Sequence, residues 1–221
     1  VNLELDHLIL LCDVDAPEAE ALLLAGLLEG SSNVHAGQGT ANRRFFFQNA
    51  YLELLWVCDL AQARREPAYR TRLWERWLRR NQGGCPFGIA LRPIDPTAGD
   101  TPPFPTWAYH APYLPARVSI GIAIATPLAE PEFLHVTFAT RPAAKKREPM
   151  NESSGFSRLE TVRLGMPPGA SPRSQAAKVT SQLGLISFYA ATEYVMELTF
   201  DGNSGARHVD LRPALPLVLR S

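Results

Sequence analysis

Residues 35–57, HAGQGTANRRFFFQNAYLELLWV, decide how the rest of the chain is read. Gly37 and Gly39 mark a turn-rich approach to two expected strands, Arg43–Gln48 and Tyr51–Val57, which join at Asn49-Ala50. In the second strand Leu52, Leu54 and Trp56 point one way, and Tyr51, Glu53, Leu55 and Val57 the other, because side chains alternate along a strand. Both faces are mostly apolar, so both are expected to be covered. Glu53 is the exception. A buried, ionised carboxylate is costly unless it is paired, hydrogen-bonded or bound to a cation.

Working outward, the chain opens LELDHLILLC, a strand with Leu3, Leu5, His7, Ile9 and Leu11 on one face. A helix pattern, Pro17 to Leu28, lies between this strand and the glycine-rich turn. The order is strand with His, helix, then strands ending in one with Glu. The opening LDHLILLCDVDAPEAEALL, the stretch HAGQGTANRRFFF and the strand AYLELLWV resemble the vicinal oxygen chelate superfamily, in particular its glyoxalase-like subgroup. That superfamily includes glyoxalase I, the bleomycin-resistance proteins and the extradiol dioxygenases. The resemblance covers about residues 3–58. It implies an α+β fold of repeated βαβββ modules that form curved mixed sheets around a cavity. It also implies a metal-binding His on the first strand of a module and a Glu or His on the last, here His7 and Glu53.

Composition sets bounds on this reading. The 221 residues suffice for a sizeable core, and 22 basic against 22 acidic residues cancel. That balance speaks against a general nucleic-acid or membrane-surface role. The longest apolar runs fall far short of a bilayer span, and no basic segment precedes the first one as a signal peptide would require. Cys12, Cys58 and Cys85 have no metal-type spacing, so they are expected to be reduced structural residues of a cytoplasmic protein.

After Val57, residues 66–80 show helical spacing of Tyr69, Leu73, Trp74, Trp77 and Leu78, with arginines on the other face. Strands are expected at 85–93, 117–126 and 133–139, with a Pro-rich loop at 95–115. A loop of that length is usually functional. Its Phe104, Trp107, Tyr109, His110 and Tyr113 either pin it to the body or line a pocket as a lid. By resemblance 85–141 is a second module paired with the first (1–58) in a domain spanning 1–141. Leu134-His135-Val136 then matches Leu52-Glu53-Leu54, and His135 becomes a third ligand. The counterpart of His7 falls near Phe87 or Gly88, neither a ligand. Residues 142–157 read as a flexible linker. Residues 158–221 read as a third, degenerate βαβββ unit, with Ser171-Pro172 opening its helix and a hairpin turn at 201–205. There Val209-Asp210-Leu211 takes the Leu-Glu-Leu place, and Asp210 pairs with Arg212.

Two His and one carboxylate with open positions suit a divalent metal such as Fe, Mn, Ni or Zn. In the family such a metal chelates vicinal substrate oxygens, and Glu53 would also move a proton as the catalytic residue. A Glu53–His7 or Glu53–Arg pair would satisfy the same groups without metal. His35, Asn42 and Arg43 either hydrogen-bond an anionic or oxygen-rich ligand or cap the turn that enters a strand. Two functions therefore stand open. One is a metal-dependent lyase, isomerase or dioxygenase. The other is a metal-free protein that binds or sequesters a small molecule. The expected partner is a small oxygen-rich or aromatic molecule, touching Trp107, Tyr109 and His110 as well. Homodimer formation is left open.

Overall fold

The computed structural model describes residues 3–95, 101–142, 148–201 and 206–221. Its centre is β1 (Leu3–Leu11), whose Leu8 and Leu10 pack in the main core while Ile9 and Leu11 face the opposite side. A short helix α1 (Ala19–Leu24) buries Ala19 and Leu22. Three strands complete the first module: β2 (Asn33–His35), β3 (Thr40–Phe46) and β4 (Tyr51–Val57). Gly39 has a positive φ of 75°, and a Cβ there would run into the Asp59 carbonyl. Glycine is therefore what lets the 35–39 turn close against the chain that leaves β4.

The expected helix over 66–80 is broken. A short α2 (Leu60–Ala63) precedes the span, which itself divides into a 3-10 turn (Ala68–Thr71) and α3 (Leu73–Arg79). The break has a local cause. Arg72 sits in the left-handed region at φ 60°, and the Thr71 hydroxyl accepts from the backbone N–H of Leu73 at 3.2 Å. Side-chain hydroxyls that satisfy nearby backbone compete with helix in this way.

The second module comprises β5 (Phe87–Pro93), β6 (Thr106–Tyr109), β7 (Ile120–Ala123) and β8 (Glu132–His135). Among the described residues no helix separates β5 from β6. The stretch expected to be a loop at 95–115 thus carries an edge strand. Phe104 and Tyr109 are buried, so the described part of the stretch is pinned to the body. Residues 96–100 lie outside the described residues.

The eight strands form one sheet in the order β2-β3-β4-β1-β5-β8-β7-β6. Its register reveals a two-fold relation. β1 runs parallel to β4 with His7 opposite Tyr51 and Ile9 opposite Glu53. β5 runs parallel to β8 with Gly88 opposite Glu132 and Ala90 opposite Leu134. The halves join antiparallel, His7 to Ala90 and Ile9 to Gly88. Setting the first paired residues of the two halves against each other carries His7 onto Gly88, Tyr51 onto Glu132 and Glu53 onto Leu134.

A second sheet follows, built from β9 (Leu159–Met166), β10 (Ser187–Ala190), β11 (Val195–Phe200), β12 (His208–Asp210) and β13 (Leu217–Arg220). Its order is β10-β9-β11-β13-β12, with α4 (Gln175–Gln182) between β9 and β10 in sequence. The helix begins one turn later than the Ser171-Pro172 pair suggests, because Ser174 is the residue whose hydroxyl caps the Ala177 N–H. Residues 208–210 do not take the place of β4. They lie at the sheet edge, separated from β9 by β11 and β13, where Asp210 pairs with Arg212 at 2.6 Å. The hairpin expected at 201–205 falls largely outside the described residues.

One core joins the two sheets, running from Leu8, Phe45 and Phe133 to Phe156, Leu198 and Leu217. The linker reading of 142–157 is corrected by Asn151. Fully buried, it accepts from the Leu28 N–H at 2.6 Å and donates to the carbonyls of Phe46 and Leu28 at 3.0 and 3.2 Å. Residues 143–147 lie outside the described residues.

Candidate functional site

The face of the large sheet turned away from the main core lines a cavity of about 260 Å³. One end is polar. Between Leu5 and His7 the pairing of β1 with β5 slips by one residue, and Asp6 is the extra residue. A bulge of this kind re-aims side chains. Here it lets consecutive residues, Asp6 and His7, both line the cavity. Asp6 bonds His7 Nδ1 at 2.6 Å and Arg92 at 2.6 Å. Arg92, also buried, donates further to Glu4 at 2.9 Å and to the Asn49 carbonyl at 2.7 Å. The ring of His7 stacks on Tyr51 at 4.5 Å and turns Nε2 toward Glu53 Oε2, 3.4 Å away. The other Glu53 oxygen accepts from the Asn42 amide. Glu53 thus has the partners its burial demands without any ion.

A second polar run borders this one. His35 Nδ1 lies 2.8 Å from the Thr40 hydroxyl, which accepts from Gln38 at 2.8 Å. Gln38 in turn accepts from the Tyr109 hydroxyl at 2.9 Å. His35 also stacks on Tyr113. The opposite wall is apolar, with Ile120 and Ile122 from β7 and Leu134 and Val136 around β8.

Burial alone would raise the Asp6 carboxyl. The hydrogen bond from His7 and the charges of His7 and Arg92 instead hold it below the usual carboxylate range. Burial lowers His35 and so favours the neutral ring, against the opposing pull of Glu53. Burial, then Glu53 and Asp6, push the Tyr51 phenol well above its ordinary value. Glu132 is raised by burial, with Arg76 opposing.

His7, His35, Asn42, Glu53 and Tyr109 from the sequence reading are brought together on the cavity. The others are elsewhere. Arg43 faces the opposite side of β3, where it binds Glu29 at 2.5 and 2.8 Å and the Ala16 carbonyl at 3.2 Å. Its neighbour Arg44 lines the cavity instead. Trp107 lies under Arg70 at 4.3 Å beside the wall, and His110 is exposed.

His135 is the main correction. The register makes Leu134 the counterpart of Glu53, so matching His135 to it is off by one residue. A shift of one reverses the face a side chain points to. Its Cβ lies toward Gly121 and Thr106, away from the cavity-facing Ile120 and Ile122. The positions that carry metal ligands in the resembling family are thus His7, Glu53, Gly88 and Leu134 here, and two of them have no donor atom. Among the described residues, no group of three His, Cys, Asp or Glu side chains could hold an ion. The donor set does not fit the metal that the family resemblance implies.

Sequence reasoning missed Asp6 and Glu132 as cavity residues. Asp6 was visible in the Asp-His pair, but only the bulge turns it inward. Glu132 needed the register of β8, which its strongly apolar neighbours Phe133 and Leu134 do not reveal.

A βαβββ module, its partner across the β1–β5 seam and a concave polar cavity match the architecture of the glyoxalase-like, vicinal oxygen chelate class. Residues 5–107 match the model of the glyoxalase-like domain family. Over its whole length it is also similar to the crystal structure of a hypothetical protein from Staphylococcus aureus. There the TM-score is 0.55 at 13% identity, covering 100% of this chain and 98% of the other, a likeness of fold alone. No curated protein matches the chain. Among the described residues no helix is long and apolar enough to cross a membrane.

Proposed function

We propose that this domain binds a small oxygen-bearing or aromatic molecule without a metal, its polar end at Glu53 and His7 and its body against the apolar wall. The observation that carries the reading is the pairing of His7 with Glu53 inside a cavity sized for a small ligand, opposite Ile122 and Leu134. Asn42 orients Glu53, neutral His35 and Tyr109 offer further hydrogen bonds, and a ligand hydroxyl meets the carboxylate. The two missing donors at Gly88 and Leu134 favour binding over metal-dependent turnover.

The buttressing of His7 by Asp6 favours a second reading, proton transfer. With Nδ1 held by Asp6, Nε2 is the atom that exchanges a proton with a ligand hydroxyl, and Glu53 is the adjacent acid or base.

The test uses p-cresol, a phenol with an apolar tail. In NMR titrations it is expected to shift amides of β4, β7 and β8, equally before and after treatment with EDTA. Leu134→Trp, which fills the cavity, is expected to abolish the shifts. Binding that survives Leu134→Trp, or that requires metal, overturns the reading.

A further inference from the structure

We propose that Glu132 is a second polar pole of the cavity, and that the ligand is an elongated molecule with a hydroxyl at each end of a short apolar body. The proposal rests on the binding reading above and deepens it. Glu53, Ile9, Gly88 and Glu132 lie side by side across four adjacent strands, β4, β1, β5 and β8. The two carboxyls therefore stand in one row on the cavity face, three strand spacings apart, about 14 Å between backbones. Side chains on the concave face of a curved sheet converge, so the carboxyls stand closer together than their backbones do. A short, flat ligand with a hydrogen-bonding oxygen at either end is the shape that this row selects. Gly88 places no side chain in the row, so only Ile9 forms the floor between the two poles.

The carboxyl of Glu132 is what points to a ligand. The residue is only 5% exposed and lines the cavity, and among the described residues its carboxyl is ion-paired with Arg76 but makes no hydrogen bond. Its nearest cation, Arg76 Nε, is 4.0 Å away, too far for a hydrogen bond. Two nitrogens of Arg76 donate to the carbonyls of Glu130 at 2.7 Å, Pro127 at 3.3 Å and Thr126 at 3.4 Å, while the Nε that faces Glu132 makes no hydrogen bond among the described residues. Buried polar groups are almost always hydrogen-bonded, and the cavity side of this carboxyl is where a ligand would supply that bond. A hydroxyl suits it in either protonation state, since it both donates and accepts. Burial raises the Glu132 carboxyl against the pull of Arg76, in keeping with its place on the enclosed side of the cavity. At the other pole Glu53, already held by Asn42 and His7, accepts. The two ends thus differ in chemistry, which orients the ligand.

Hydroquinone and p-cresol separate the two poles, because they share one hydroxyl and differ only in whether the far end is hydroxyl or methyl. Wild type is expected to bind hydroquinone roughly tenfold more tightly than p-cresol, the worth of about one hydrogen bond. Glu132→Leu is expected to erase or invert that preference while still binding p-cresol. Glu132→Gln, which keeps the shape and a hydrogen-bonding oxygen, is expected to retain it, which guards against a folding defect in the Leu variant. Equal binding of the two probes by wild type, or a preference that persists in Glu132→Leu, overturns the role of Glu132 and leaves the binding reading intact. Failure of both probes to bind wild type overturns both.

Discussion

Glu53 and Leu134 occupy equivalent places in the two halves of the large sheet, one a carboxylate held by Asn42 and His7, the other an apolar wall residue. The same exchange sets Tyr51 against Glu132 and His7 against Gly88. The two halves share a backbone plan, but their chemistry is complementary. The first supplies a hydrogen-bonded polar end, and the second an apolar wall with one carboxyl.

The Asn42 amide is the Glu53 partner that carries no charge. Asn42→Ala leaves one carboxylate oxygen buried without its donor. Urea denaturation is expected to show a loss of about 1–3 kcal/mol. Asn42→Asp, which sets a second carboxylate against Glu53, is expected to lose more. Unchanged stability in both would show that Glu53 finds other partners.

Asp6 and Glu132 should leave opposite marks on stability against pH. The Asp6 carboxyl lies below its ordinary value of 3.8 in the fold. Its contribution is therefore present above about pH 4 and lost as pH falls through the folded value. Glu132 lies above its ordinary value of 4.5. Its contribution is present below that value and lost as pH rises through the folded one. Denaturation between about pH 3 and 7 is expected to show a shallower acid limb in Asp6→Asn, and a shallower decline toward neutrality in Glu132→Gln. Asp6→Asn also disturbs His7, so the comparison concerns the slope and not the absolute stability.

Asn151 ties the 148–157 segment to the chain after α1 and to the end of β3. Asn151→Ala removes three side-chain hydrogen bonds at a fully buried position. It is expected to cost about 2–4 kcal/mol in chemical denaturation, several unsatisfied groups being left behind. A loss under about 0.5 kcal/mol, the range of a neutral surface change, would restore the flexible-linker reading.

Cysteine reactivity should follow exposure. Cys12 and Cys85 are buried, and burial pushes the Cys85 thiol up to about 12. Cys58 is exposed. Iodoacetamide at pH 8, followed by peptide mass spectrometry, is expected to label Cys58 alone in the native protein and all three after unfolding. Native labelling of Cys85 at the rate of Cys58 would mean that the core around β5 opens readily.

Much of this was legible along the chain, for reasons that are local. Alternation fixes the faces of β4, so Leu52, Leu54 and Trp56 were assigned correctly to the core side and Glu53 to the other. The glycines of the 35–39 turn and the apolar run of β1 act within their own segments. Together they carry the βαβββ order and place His7 and Glu53 on one surface. What only the tertiary structure decided depends on register between strands far apart in sequence. A bulge at Asp6 turns a second acidic group inward, and one residue of register on β8 sends His135 to the core side while bringing Leu134 and Glu132 to the cavity. Arg43 and Arg44 divide in the same way on β3. With a side-chain period of two, a single-residue difference in pairing reverses every assignment on a strand. Where both faces of a strand are covered, as on β3 and β8, its own hydrophobicity does not say which way it sits.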